Sequence, residues 1–598
     1  MSKLQTLRDA DKLEDIAKIL GFTPRGLSFV LYKLPGSKKY TVFEVPKRDG
    51  GMRQIKAPEA SLSLLQRRLA TLLTECIEEL KKAKPPRRPL AHGFEKGRSI
   101  ITNAQLHKRR RYVFNLDLAD FFPSINFGRV RGFFLKDKSF ELKPPVATVL
   151  AQIACFENEL PQGSPCSPVI SNLVGHVLDG RLARFAKTHK CTYSRYADDI
   201  TFSTSRKDFP PEIAVPTAEA AWQVSDEIRA RIKDAGFEIN DKKTRMQFRG
   251  SRQVTTGLMV NEKVNIRQEY FRAARHMCKA LFTTGSYYRM VPATLAGGAI
   301  GDLPIKEVVT SLNPLEGTLA HIYQVKNTAD LRDDDMKKKE PTATRLLYFR
   351  FLFYKNFVAH TMPLIVPEGK TDSVYLRAAI QYLTKYHPRL GTIVDGKLEA
   401  KIRFMNFSTT VHDVMQLGHG TSEQLFLISN YEKHLRAYSH APLTSPVIVL
   451  FDNDDGARSL FGYAKNKGHS TIGLDSTEAF YYLGHNLYLV KTPEPGSGEK
   501  SCIEDLFPPI LLKTPVDGKA FDPNKEHNED GKYGKVVFAK RVVIPNAAKI
   551  DFSGFAPLVD RIVDVLDHHA ALKMVPPART SRRRRRLNLT PDRDTIFI

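Results

Sequence analysis

The spacing of hydrophobic and polar positions changes several times along the chain, and each change predicts an element. Residues 1–35 carry apolar positions in short helical runs. Tyr40–Pro46 alternates with a period of two, Lys47–Gly51 has turn composition and Met52–Lys56 alternates again, which predicts a hairpin. Ser61–Lys82 predicts a long helix with Leu64, Leu65, Leu69, Leu72 and Leu73 on one face. Ala83–Pro89 is a Pro- and Arg-rich loop, Arg111–Asp117 a strand, and Leu160–Leu178 a loop that becomes a helix. Thr192–Ser203 predicts two short strands joined by a tight turn with Ala197-Asp198-Asp199 at its tip. Residues 217–235 predict an amphipathic helix, Phe248–Val264 strands with a turn, and Tyr270–Phe282 a basic helix.

After the charge-segregated stretch Leu331–Pro341, expected to be solvated, the texture changes. Leu364–Asp372 predicts a strand, a loop and the start of a helix. Pro446–Asp452 predicts a buried strand that ends in acid. Strands alternating with helices predict an α/β domain with a mainly parallel sheet. The chain is expected to divide into 1–325, a connecting helix and linker over 326–360, a second domain over 361–575 and a disordered basic tail over 576–598. In that tail Arg582–Arg586 is either solvated or an electrostatic grip on nucleic acid.

Composition narrows the partners. The 598 residues carry a net charge of +26, of which +19 falls in residues 1–330. Such an excess suits a polyphosphate partner bound through counterion release. Six cysteines without a CxxC pair predict reduced thiols rather than zinc or disulfides. No apolar run approaches the roughly 20 residues of a membrane helix, and the N-terminus has no signal-peptide core, so a cytoplasmic protein without membrane contact is expected.

Adjacent carboxylates at Asp198 and Asp199 repel each other, so the turn is either solvated or built around a cation. Asp117 ends a strand, and Pro161–Pro168 is a Gly/Pro loop feeding a helix. A strand-end Asp beside a carboxylate turn can hold two Mg²⁺ ions for phosphoryl transfer. In this order the set resembles the reverse transcriptases. The resemblance implies an α+β right-hand polymerase of fingers, palm and thumb over 1–325, with Asp117, Asp198 and Asp199 as catalytic metal carboxylates. It implies that Phe122 gates against the ribose 2′-hydroxyl, with a core Phe as the alternative. Gln162 and Gly163 would lie on template and dNTP, and Lys47 and Arg53 would contact the triphosphate. Tyr270–Phe282 resembles the thumb helix. Asn103-Ala-Gln-Leu-His107 matches the NAxxH signature of bacterial retron reverse transcriptases, and Val254-Thr-Thr-Gly257 resembles their VTG signature with one extra Thr. That narrower resemblance implies RNA contact by Asn103 and His107, a helix-surface or capping His107 being the alternative. It also implies a cognate non-coding RNA, 2′-hydroxyl priming and a branched RNA–DNA product, msDNA.

Pro367–Asp372 and Phe451–Gly456 lie about 80 residues apart. Asp452 and Asp454, two apart at a strand end, can share one Mg²⁺. This pair resembles the TOPRIM domain. The resemblance implies Glu368 as general acid/base or metal ligand and Asp452, Asp454 and Glu504 as metal ligands for one or two Mg²⁺, with Asp372 and Asp455 in support. The whole order resembles retron reverse transcriptases of the Ec67 type, fused to a TOPRIM domain. It implies a nuclease effector in bacterial antiphage defence, acting on a nucleic-acid target, with a homo-oligomer left open. The alternative is a non-retron defence or diversity-generating reverse transcriptase whose TOPRIM domain is a non-catalytic cap or trims the cDNA.

Overall fold

The structure is a computed structural model that describes residues 2–47, 51–85, 89–217, 221–291, 305–494, 496, 499–525 and 531–574. The expected tail with Arg582–Arg586, the centre of the 47–51 turn and part of the 83–89 loop lie outside the described residues. The chain forms two compact units, Met1–Gln268 with Val325–Leu331, and Glu269–Gln324 with Arg332–Ile598.

The first unit is built on an antiparallel sheet in the order Thr192–Tyr196, Asp199–Thr204, Tyr112–Ala119, Glu238–Ile239, with Arg245–Phe248 also paired to Tyr112–Ala119. Phe114, Leu116, Leu118, Ile200 and Phe202 share one core with the helices Pro144–Ala154 and Ser167–Thr188. The hairpin Tyr40–Pro46/Met52–Pro58 forms as expected. On the long helix Ala60–Ala83 the buried stripe runs through Leu62, Leu65, Leu69, Leu72, Leu73 and Cys76. That i, i+3, i+4 stripe turns Leu64 outward, against expectation. The helix expected over 217–235 is also shorter. Trp222–Val224 is a strand paired with Ala214–Pro216, and among the described residues of the stretch only Asp226–Lys233 is helical. Ser225 caps that helix by accepting from Ile228 N, and Asp226 and Glu227 in the first turn favour a start there.

The second unit holds a five-stranded sheet in the order Arg403–Phe404, Leu364–Val366, Val447–Phe451, Leu487–Lys491, Tyr481–Gly484. The first four are parallel and the last is an antiparallel edge. Ile365, Ile448, Leu450, Tyr488 and Val490 pack with helices Asp372–Tyr382 and Ala556–Met574. On the opposite face Phe461 of helix Arg458–Asn466 packs on Phe451. Such near-continuous apolar strands are what a sheet covered on both faces requires.

Glu269–Gln324, expected in the first domain, groups with the second unit. The basic helix Gln268–Thr284 buries Ala274, Cys278 and Leu281. Near its end Phe282 O accepts from Ser439 N and His440 N at 3.0 Å each, and the Phe282 ring packs on Tyr354 and Tyr438.

Candidate active sites

Asp117 and Asp199 are direct cross-strand partners, so their side chains rise on the same face of the sheet. Tyr196 pairs with Asp199, which leaves Ala197 and Asp198 as a two-residue turn. Ala197 sits at φ 56°, the left-handed value that such a hairpin turn uses at its first position. An alanine gains nothing from that backbone, so its neighbours must hold it there. Arg195 Nη1 donates to Ala197 O at 2.9 Å, and Leu118 N donates to Asp198 O at 3.0 Å. Gly93 lies so close that an added Cβ would stand 2.6 Å from Ala197 N. Arg195 is itself fully buried. Its Nε and Nη2 donate to the two carboxylate oxygens of Asp179 at 2.7 and 2.8 Å, and Tyr193 OH donates to the same carboxylate at 2.7 Å.

The carboxylates are crowded. Burial pushes Asp117 above the usual range, and the Asp198 charge adds to it. Lys243, 3.4 Å away, and Asn240 pull it back. Asp199 is pushed up to about 6 by desolvation and then by the charges of Asp198 and Asp117. A cavity of about 920 Å³ opens over this edge, and Asp117, Asp198, Phe122, Gln162, Gly163, Lys47 and Arg53 all line it. Gly163 has φ 118°, and a Cβ there would stand 2.8 Å from Lys56 O. Lys56 N donates to Gln162 O at 2.7 Å, which ties the loop to the hairpin strand. Phe122 is partly buried, edge-on to Phe121.

Asn103 and His107 do not line the cavity. Both are fully buried, which corrects the expectation that they contact RNA, and His107 is not on a helix surface either. Ser194 Oγ donates to Asn103 Oδ1 at 2.6 Å, so His107 Nε2, 2.7 Å away, donates to Ser194 Oγ. In a neutral ring Nδ1 then accepts from Ser203 Oγ at 2.8 Å. Ser194 and Ser203 lie on the two strands that carry the acidic turn. The second signature stretch meets the helix that carries Asn103, Thr256 Oγ1 donating to Ile100 O at 3.2 Å.

The second unit gathers its acids beyond the carboxyl ends of the parallel strands. Asp452 N donates to Glu368 Oε2 at 2.9 Å, Gly369 N to Asp372 Oδ2 at 2.7 Å, and Ile503 N to Asp452 Oδ1 at 3.0 Å. Lys535 Nζ donates to Glu504 Oε2 at 2.9 Å, while the buried Glu504 Oε1 has no hydrogen-bond partner among the described residues. Burial, then Glu504 and Glu368, push Asp372 up to about 7. Burial, then Asp372, Glu368 and Glu504, hold Asp452 well above the usual range. Glu368 rises through burial, with Asp454 and Glu504 adding. The chemistry of the set is all hard oxygen, which fits Mg²⁺ at either site. Among the described residues no group of three or more Asp, Glu, His or Cys forms a finished metal cage. Asp455 turns away to Arg458 and Lys500, so it does not support the acids. Buried Lys491 donates to Asn453 Oδ1 at 3.3 Å and to the carbonyls of Gly473 and Leu474, which fixes the loop between Asp452 and Asp454.

Sequence reasoning missed Arg195, Asp179, Gly93, Lys491 and Lys535. The one available signal was Arg195 as the charged residue in an otherwise uncharged strand beside the acids.

Residues 45–268 match the family described as "Reverse transcriptase (RNA-dependent DNA polymerase)". The retron Mx65 reverse transcriptase of Myxococcus xanthus is 38% identical over 276 residues, which is 43% of this chain and 60% of that protein. The chain therefore spans less than two thirds of that relative. The retron Ec86 reverse transcriptase of Escherichia coli is 30% identical over 275 residues, which is 46% of this chain and 78% of that protein. Among solved structures, apo telomerase from Candida tropicalis is similar with a TM-score of 0.29 and 14% identity over 53% of this chain and 57% of that chain, a likeness too weak to carry any argument. With the paired carboxylates on one sheet edge and the Ec86 relative covered over most of its length, the chain belongs to the retron reverse transcriptases.

Proposed function

We propose that the first unit is an RNA-directed DNA polymerase that copies its cognate non-coding RNA. It would prime from a 2′-hydroxyl of that RNA and make branched RNA–DNA. The observation that carries this reading is that Asp117 and Asp198 line a cavity with Lys47, Arg53, Phe122, Gln162 and Gly163, with Asp199 paired across the strands to Asp117. Asp117, Asp198 and Asp199 would hold Mg²⁺ there, and Glu368, Asp452, Asp454 and Glu504 in the second unit. When bound, the ion lowers the pKa of an attacking hydroxyl or water and offsets phosphate charge. Lys47 and Arg53 neutralise the triphosphate of the dNTP. Phe122 walls off a ribose 2′-hydroxyl, and the Gln162–Gly163 backbone lies against the templating pair.

The second unit in this reading is a TOPRIM nuclease, held in check by the msDNA and released in antiphage defence. Support comes from Glu368, Asp372, Asp452 and Glu504, which shift one another's proton affinity at the ends of parallel strands. Crevices beyond such strand ends are where ligands bind in α/β sheets. A second reading rests on the Lys535–Glu504 pair: an internal cation already sits among the acids, and the unit is then a non-catalytic cap on the nucleic acid.

Asp198→Asn is expected to abolish cDNA in a primer-extension assay on the cognate RNA. Glu368→Ala is expected to leave cDNA intact and remove both Mg²⁺-dependent cleavage and protection from phage. Protection that survives in both variants rules out the two-part function. Cleavage by neither the wild type nor any variant selects the cap.

A further inference from the structure

The wall of the second acidic site opens into a separate cavity of about 260 Å³, lined by Glu504, Pro509, Leu512, Lys513, Phe521 and Pro523 among others. Cavities that take whole small-molecule ligands run to roughly 300–1,000 Å³, so this one has room for a single heterocycle. Its walls are chemically asymmetric. Phe521 lines it with a ring whose orientation is locked, since one face stacks on Phe538 at 4.5 Å and 25° and Tyr533 packs at 5.6 Å. Two prolines and a leucine complete the apolar part. Glu504 joins the cavity to the acids, and the exposed Lys513 contributes a cation.

We propose that this cavity is a base-stacking subsite for one unpaired nucleotide of the strand engaged at the second acidic site; this rests on the nuclease reading of those acids. The base would lie on Phe521 between the prolines, as sequence-tolerant single-strand binders stack bases on aromatic rings. Glu504 and Asp505 repel a free nucleotide's polyphosphate, so the charges favour a neutral base with its phosphates outside. Lys513 meets one flanking phosphate. A duplex cannot enter without extruding a base, so the subsite selects single-stranded DNA or RNA.

The test is photocrosslinking of the full chain to 5-iodouracil-substituted single strands, with separate DNA and RNA arms and the matching duplexes. It is run in EDTA so that cleavage is not needed, and the adducts are mapped by mass spectrometry. The expected adduct is on Phe521 with one or both single strands and much weaker with duplex. Phe521→Leu, which keeps the apolar volume against Phe538, is expected to lose it. Phe521→Trp is expected to keep it, and Lys513→Glu, on the surface, to weaken it. If cleavage occurs, Phe521→Leu is expected to raise KM for single strands about 5- to 100-fold with kcat little changed. Adducts confined to other segments, or equal yields with duplex, overturn the proposal. A Phe521 adduct without cleavage by any variant leaves the subsite standing and removes the nuclease reading. Cleavage without the adduct does the reverse.

Discussion

Arg195 shows how much of an acidic turn can depend on a residue that never reaches the surface. Its guanidinium is buried, bonded to both oxygens of Asp179, and spends one donor on the carbonyl of left-handed Ala197. Burial works against its charge, and Asp179 more than offsets that. Removing one partner of a buried pair costs about 3–5 kcal/mol because the other charge is stranded. Arg195→Met is therefore expected to lower the urea midpoint strongly, and Arg195→Lys less so. Well below its melting point, Arg195→Lys is expected to reduce kcat of primer extension more than KM for dNTP, since the turn and not the cavity wall is loosened. An unchanged kcat in folded protein contradicts that role. Asp117, Asp198 and Asp199 could be singled out in sequence because a strand-end Asp and an Asp-Asp turn follow the order of the reverse-transcriptase motifs, and the structure pairs Asp117 with Asp199 across two strands. Asp179 was not, since nothing in a helix 16 residues upstream marks it as the partner of Arg195.

At the scale of elements, the short helix Ile100–Gln105 and the hairpin Val254–Met259 underpin the two catalytic strands. A signature motif was readable as a string, but its role was not, because exposure follows from tertiary packing and His suits both an RNA face and a core network. His107→Ala removes the partner of the buried Ser203 hydroxyl and one of the two hydrogen bonds of Ser194, a cost of roughly 1–3 kcal/mol. It is expected to lower stability and to depress extension equally on cognate RNA and on an unrelated primed template. Loss confined to the cognate RNA would restore a direct RNA contact. The hairpin with clean alternation was read with the right first strand, Tyr40–Pro46, while its second strand runs two residues past the expected Lys56 to Pro58. The 217–235 stretch was not, because Trp222 suits either an amphipathic helix or a strand and the Ser225 cap decides between them.

For the molecule as a whole, charge and acid lability run together. His360 is 3% exposed, and burial, partly opposed by the Pro446 carbonyl, brings its pKa down to about 4. An unfolded histidine titrates near 6.5, so between those values the unfolded state binds the extra proton. Stability from this group is full above about pH 6.5 and is lost as pH falls toward 4, by about 2 kcal/mol at pH 5. A net charge of +26 at neutral pH adds self-repulsion in the same direction. Urea unfolding of the second unit is expected to show this loss between pH 7 and 5, and His360→Gln to flatten it; an unchanged slope would assign the acid lability elsewhere. The division into two units was expected, but the position of the seam was not, because the basic helix was assigned by charge and its aromatic anchor lies more than 70 residues downstream at Tyr354 and beyond. That anchor bears on how such chains diversify. A recombination that joins a different C-terminal segment after Leu331 would orphan the Phe282 ring and the carbonyl beside it. A chain rebuilt in that way would need Gln268–Thr284 to come with the incoming segment, or new residues to replace the partners of Phe282.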